Sequence, residues 1–256
     1  MVLAGRPGVL AAIPARHGST RFPGKPLAEI DGRPMIARVA EAAGAARTVD
    51  AVVVVTDTEA IGRAGEAGGA RSVVIDRPAA SGTDRIAHLL EADPDAARAE
   101  VIVNVQGDEP LIEPEAIDAA VDALERAPRA DVATLVRPAR GGEDPADSNL
   151  VKVAVTASGR ALYFSRSPIP HSAPNAIHVG LYAFRRAAFD RFVSLDPTPL
   201  ERTERLEQLR ALEDGMTIHC VVFETESIGV DTPEDLGRVE SILRSRSRGG
   251  AREAET

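Results

Sequence analysis

Four largely apolar runs mark the first half of the chain, at residues 9–13, 51–55, 71–75 and 100–105, and each gives way to a proline or a polar residue. Runs without polar alternation read as short strands buried on both faces. Between them apolar residues recur at helical spacing: Met35, Ile36 and Val39 in a helix over 34–43, and Ile86, Leu89 and Leu90 in one over 84–91. A further helix follows Thr56-Asp57 to about residue 66, and residues 114–126 form an amphipathic one behind Pro114. Strand and helix in regular alternation predict an α/β fold, a mostly parallel Rossmann-like sheet with helices on both faces. Ligands of such sheets bind beyond the carboxyl ends of the strands. The loop after Ile13, the Thr56-Asp57 pair and residues 106–109 are therefore predicted to share one edge.

The second half changes rhythm. A strand over 132–136 leads into a Pro/Gly/Asp-rich connection at 137–149, and the segments 150–156 and 160–165 pair as a hairpin across Ala157-Ser158-Gly159. Further strands are expected at 177–184 and 217–223, with a helix over 201–212 between them. Thr232, Pro233 and Asp235 begin a last helix as N-cap, first-turn proline and reinforcing carboxylate. The polar Ser/Arg/Gly tail at 245–256 is expected to be disordered. No internal boundary is sharp enough to split residues 1–244, which are expected to form a single domain with halves at about 8–136 and 137–244.

Composition narrows the possible functions. With 256 residues and 44% hydrophobic positions a sizeable core can form, and the 3% aromatic content makes it one of Val, Leu, Ile and Ala. A net charge of −9 argues against a nucleic-acid-binding surface, which draws on broad basic patches. Cys220 is the single cysteine, so no intramolecular disulfide is possible and a cysteine-based zinc site is disfavoured. No stretch approaches the 18 apolar residues of a membrane span, and the expected location is the cytoplasm. Lys25 and Lys152 are the only lysines in an arginine-rich chain, a bias that genomic base composition explains but that marks both positions.

The loop after the first strand carries the densest candidate chemistry. Arg16, Arg21 and Lys25 alternate with Gly18, Ser19, Thr20 and Gly24. Glycine lets backbone N–H groups approach an anion, and three cations past a strand end suit a polyphosphate. The spacing excludes a Walker A loop, because the interval from Gly18 to Gly24 is one residue too long and Pro26 stands where Ser or Thr would bind a metal. Asp108, directly after a buried strand, is a candidate magnesium ligand, and Asp231 in Gly229-Val-Asp-Thr-Pro-Glu-Asp235 is by itself a helix-entry residue.

The order P-A-R-x-x-S-T-R-x-P-G-K-P-L after a strand resembles the opening of the sugar-activating cytidylyltransferases, most closely the 3-deoxy-manno-octulosonate (Kdo) cytidylyltransferase family. His17 departs from the family's usual Tyr. V-N-V-Q-G-D-E-P-L-I, S-G-T-D-R and G-V-D-T-P-E-D extend the resemblance over residues 9–243. It implies the nucleotide-diphospho-sugar transferase type of fold, with a nucleotide-binding first half, an acceptor and dimer half carrying a small antiparallel extension, and a homodimer. It also implies Mg²⁺-dependent transfer of CMP from CTP to a small acidic acceptor, with pyrophosphate released. Arg16, Lys25, Asp108 and Asp231 would be catalytic, the two aspartates holding the metal. CTP would meet Ala15, Arg16, Ser19, Thr20, Arg21, Lys25, Thr56, Asp57, Ser81, Gly82, Thr83, Arg85 and Gln106. The acceptor would meet Gln106, Arg166, His178, Tyr182, Glu207 and Gln208. Between Pro170 and His178 the chain is shorter and poorer in cations than Kdo-using relatives, so a small phosphonate is the rival acceptor. A non-catalytic nucleotide-binding relative is the alternative from another class, and intact Lys25, Asp108 and Asp231 count against it. A glycosyltransferase with a similar sheet lacks support, since no D-x-D follows the relevant strand.

Overall fold

The computed structural model describes residues 8–18, 22–171, 176–226 and 228–253. Strand β1 (Val9–Ala15) is central because both of its faces are apolar: Val9, Ala11 and Ile13 point into one core, Leu10 and Ala12 into another. Two short strands, β2 (Glu29–Ile30) and β3 (Arg33–Pro34), form a separate hairpin before α1 (Met35–Ala45). Then follow β4 (Ala51–Thr56), α2 (Glu59–Glu66), β5 (Arg71–Val74), α3 (Gly82–Ala92), β6 (Val101–Asn104) and α4 (Pro114–Arg126). β4 and β6 pair with β1 in parallel, as the alternating pattern predicts, with Ala12 facing Asn104 and Ala15 facing Thr56.

The second half supplies β7 (Val132–Arg137), β8 (Lys152–Val155), β9 (Ala161–Ser165), β10 (Ile177–Arg185) and β11 (Ile218–Val222). The main sheet runs β11-β7-β10-β6-β1-β4-β5, and β10 is antiparallel to both neighbours. The β8–β9 hairpin leans on the end of β10 through Lys152 and Ile177. Helices α1 and α4 cover one face; α3, the helix α5 (Arg186–Val193) and the segment around Leu209 cover the other. α5 has no counterpart among the elements expected from the pattern, and buries Phe189 and Phe192.

The helix expected over 201–212 is two helices, α6 (Pro199–Glu204) and α7 (Gln208–Glu213). Arg205 adopts φ 55°, a left-handed conformation that ends α6, whose start is fixed by a capping box between Thr198 and Glu201. The tail also differs from expectation: α8 (Pro233–Glu253) continues past residue 245. Glu240 and Arg244 pair one turn apart at 3.2 Å, and Arg246 reaches Glu113 and Glu226 at 3.3 and 3.2 Å, contacts that carry the helix beyond the apolar pattern. Its first turns pack Val239, with Val230 just before it, against Ile30 and Met35, which brings the chain back beside the loop after β1.

Candidate active site

The loops after β1, β5 and β6 meet at the carboxyl edge of the sheet because glycine lets them. A Cβ on Gly107 would lie 3.0 Å from the carbonyl oxygen of Pro14, and one on Gly82 would lie 3.0 Å from the Pro14 ring. These close approaches bound a cleft of about 270 Å³ lined by Ala15, Arg16, Lys25, Ser81, Gly82, Arg85, Gln106, Asp108 and Asp231, among others. Nine residues expected from sequence at opposite ends of the chain thus line one wall system. Ser19, Thr20 and Arg21 lie outside the described residues.

Lys25 follows Gly24, whose φ of 70° turns the loop into a short 3-10 segment, Lys25–Leu27. Its ammonium donates to Asp108 Oδ2 at 2.6 Å and to Asp231 Oδ1 at 3.2 Å. The two aspartates, distant in sequence, converge because Val230 N donates to the carbonyl of Asp108 at 2.9 Å. Thr232 and Asp235 close the following helix start reciprocally, with Asp235 N on Thr232 Oγ1 at 3.2 Å and Thr232 N on Asp235 Oδ2 at 3.0 Å. Asp235 is held below the usual carboxylate range: burial, the largest single influence, acts the other way, but hydrogen bonds from the Thr232 hydroxyl and the Asp231 and Thr232 backbone N–H groups, with Arg238, outweigh it.

Ser81 caps α3, its hydroxyl accepting from Asp84 N at 3.1 Å while Ser81 N donates to Asp84 at 3.0 Å. The helix start thereby presents its amino end to the cleft, a favourable place for an anion. Arg85 is buried and reaches Asp57 at 3.9 Å, and Asp57 also accepts from His17 N at 3.0 Å. Asp57 thus fastens the β1 loop to α3. Thr56 is buried and accepts from Thr58 N at 3.4 Å, so it shapes the β4 turn and does not line the cleft. Thr83 is likewise turned inward, donating to Glu207.

The residues expected at the acceptor gather on the same sheet face as α3. Tyr182 stands opposite Asn104 across the β10–β6 pair. Burial pushes its phenol well up, with Glu207 adding to the effect. His178 retains some accessible edge, packs edge-on to Phe164 at 5.4 Å and lies 2.9 Å from Thr134 Oγ1. Thr134 spends its one hydrogen on Leu181 O at 2.7 Å, so His178 Nε2 is the donor and Nδ1 an acceptor. Desolvation lowers the imidazole to about 3, so His178 is neutral near pH 7 and supplies no cation to an acidic acceptor. Gln208 is buried beside Tyr182 and Glu207 around a void of about 10 Å³.

Arg166 is more committed than its motif suggests. Its guanidinium donates to the carbonyls of Ser148 (2.8 Å), Glu204 (3.0 Å) and Arg205 (3.4 Å), clamping the 138–151 connection to the end of α6. Glu204 answers by accepting from Arg166 N at 2.9 Å and Ser165 Oγ at 2.8 Å. Lys152, fully buried, donates to the carbonyls of Asp147 and Arg166 and completes this girdle. A compact ammonium fits there where a planar guanidinium does not. Lys152→Arg is accordingly expected to destabilise the protein by about 1–3 kcal/mol through overpacking, read as a lower urea midpoint at unchanged m.

Sequence reasoning overlooked Asn104, Glu204 and the buried Arg210–Glu201 pair, joined at 2.7 Å. Asn104 had a usable signal, as the single polar side chain among the residues Val101–Asn104 of β6, where it must find partners.

A mostly parallel sheet carrying a basic, glycine-shaped loop and two converging carboxylates at its carboxyl edge has the arrangement of a nucleotidyltransferase. The family profile described as Cytidylyltransferase matches residues 10–218, and the chain belongs to that family, whose members are CTP-dependent nucleotidyltransferases. A relative from Anaeromyxobacter dehalogenans strain 2CP-1, named 3-deoxy-manno-octulosonate cytidylyltransferase, is 49% identical over 241 residues, spanning 92% of this chain and 97% of its own. One of the same name from Azorhizobium caulinodans is 50% identical over 243 residues, spanning 93% of this chain and 96% of its own. Among solved structures, CMP:2-keto-3-deoxy-manno-octonic acid synthetase complexed with CTP is similar with a TM-score of 0.86 at 36% identity, covering 93% of this chain and 99% of that one. Among the described residues no helix is long and apolar enough to cross a membrane.

Proposed function

We propose that the protein joins CMP from CTP to Kdo, giving CMP-Kdo and pyrophosphate. The observation that supports this acceptor is the near-full-length likeness to relatives named for it, which runs through the acceptor half. In this reading Arg16 and Lys25 bind the triphosphate, and the amino end of α3 at Ser81 and Gly82, with Arg85, faces the nucleoside end of the cleft. The acceptor's anomeric oxygen bonds to the α-phosphorus, the bond to pyrophosphate breaks, and the hydroxyl proton is released. Positioning the two substrates in line, and cations at the leaving group, are the chain's contributions.

Asp108 and Asp231 fit magnesium: both are hard oxygen donors and both lie on one ammonium, while magnesium needs few carboxylates beside phosphate oxygens and water. Bound there, the ion would supply charge neutralisation at the α-phosphate. Lys25 holds the two carboxylates together in the free protein. Family likeness further supports a homodimer built on the second half.

Pyrophosphate release with CTP and magnesium, offering Kdo or phosphonoformate, tests the proposal. Turnover with Kdo is the expected result. Turnover with phosphonoformate alone would mean a rebuilt acceptor pocket, and CTP binding without turnover on either would favour the non-catalytic alternative.

A further inference from the structure

Asn104 and Thr83 do not line the cleft, yet they join Gln106, which does, to Glu207, two side chains that the family resemblance puts at the acceptor. Asn104 is 2% exposed; its Nδ2 donates to Thr83 Oγ1 at 3.2 Å and its Oδ1 accepts from Gln106 Nε2 at 3.1 Å. Thr83 Oγ1 donates in turn to Glu207 Oε1. With Glu207 ionised, the polarity of this chain is forced. A threonine hydroxyl has one hydrogen and an ionised carboxylate can only accept, so that hydrogen points at Glu207. Asn104 must then turn its NH₂ to Thr83 and its carbonyl oxygen to Gln106. Gln106 must give up its NH₂, which leaves Oε1 at the cleft, where an added Gly82 Cβ would lie 3.9 Å away.

We propose that Asn104 and Thr83 are positioning residues in a one-way hydrogen-bond relay, through which the Glu207 carboxylate sets which end of the Gln106 amide faces the acceptor. The relay rests on the acceptor reading of Gln106 and Glu207. With Oε1 outward, that wall accepts hydrogen bonds from the hydroxyls of a polyhydroxy acid and repels a phosphonate dianion. Protonated Glu207 becomes a donor, which allows the chain to reverse and offer the Gln106 NH₂ instead. The groups that face Glu207 are Ser81, Thr83 and Asp84 on α3, Arg210 on α7 and Tyr182 on β10. Burial raises the Glu207 carboxyl, while the Thr83 and Ser81 hydroxyls and Arg210 oppose that rise.

Thr83→Val keeps the shape and removes the hydroxyl; Thr83→Ser keeps the hydroxyl. In Thr83→Val the KM for the acceptor should rise about tenfold or more, as for a lost hydrogen bond to a charged group, with the KM for CTP little changed. The ionised form of Glu207 loses a donor, so the acid limb of kcat/KM for the acceptor should move to higher pH. Thr83→Ser should match the wild type on all three measures. An acid limb that stays in place, or two KM values that rise together, would overturn the relay. Should Thr83→Val not fold by circular dichroism, Glu207→Gln decides: the acid limb must vanish, and its persistence overturns the relay. Absence of wild-type turnover would count against the functional reading, not the relay. In that case side-chain amide nitrogen shifts decide: those of Asn104 and Gln106 must move with a single titration that Thr83→Val displaces, and unmoved shifts refute it.

Discussion

Asp108→Asn is expected to lower kcat by about 10²–10³ while CTP still binds, because in the proposed reading it removes one of the two carboxylates that hold the magnesium neutralising charge at the α-phosphate. Asn preserves the size of the side chain and can still accept from Lys25, which at 2.6 Å is the shorter of that lysine's two carboxylate contacts. Arg16 and Arg85 remain in the cleft to hold the nucleotide. Pyrophosphate release and calorimetric CTP titration on the same preparation separate the two effects. Equal losses in binding and turnover would reduce Asp108 to a nucleotide-binding residue, and no loss in either would remove it from the chemistry.

Lys25→Met should lower kcat/KM for CTP by a similar factor of about 10²–10³, since in the proposed reading its cation meets the leaving pyrophosphate. A second consequence follows from the free protein. Lys25, with only 12% of its side chain exposed, is the cation shared by Asp108 and Asp231. Its removal takes away a cation that sits between two like charges, which lowers stability. In the proposed reading magnesium at the two carboxylates would have to displace Lys25 in the wild type, a competitor that the variant lacks. The thermal midpoint should therefore rise more with added magnesium in Lys25→Met than in the wild type. Equal rises would mean that the ion does not bind between these two carboxylates.

Much of the first half was legible in the chain. β1, β4, β5 and β6 stand within a residue or two of the apolar runs that announced them, and α4 spans Pro114–Arg126 as read. Both periods are local properties, and a strand buried on two faces leaves an uninterrupted signature. The second half was less legible where short-range geometry outweighs periodicity. Residues 201–212 carry a continuous helical pattern, yet a left-handed Arg205 divides them. That division matters for the site: Glu204 ends α6 beside Arg166, and Glu207, which precedes α7, reaches Thr83.

The sequence by itself determined the α/β class, the edge of the sheet where the candidate site residues gather, and the residue types of the basic loop after β1 and of the two carboxylates beside it. Each follows from hydrophobic period, turn chemistry or charge within a few residues. Tertiary structure alone decided which of those residues meet and what their donors are doing. The Val230–Asp108 backbone hydrogen bond joins two aspartates that no spacing relates. Three carbonyls claim the Arg166 guanidinium, burial keeps His178 neutral, and Asn104 bridges Thr83 and Gln106. Such facts depend on the path of distant backbone segments and on the count of hydrogens at each buried oxygen, which exist only once the chain has closed on itself.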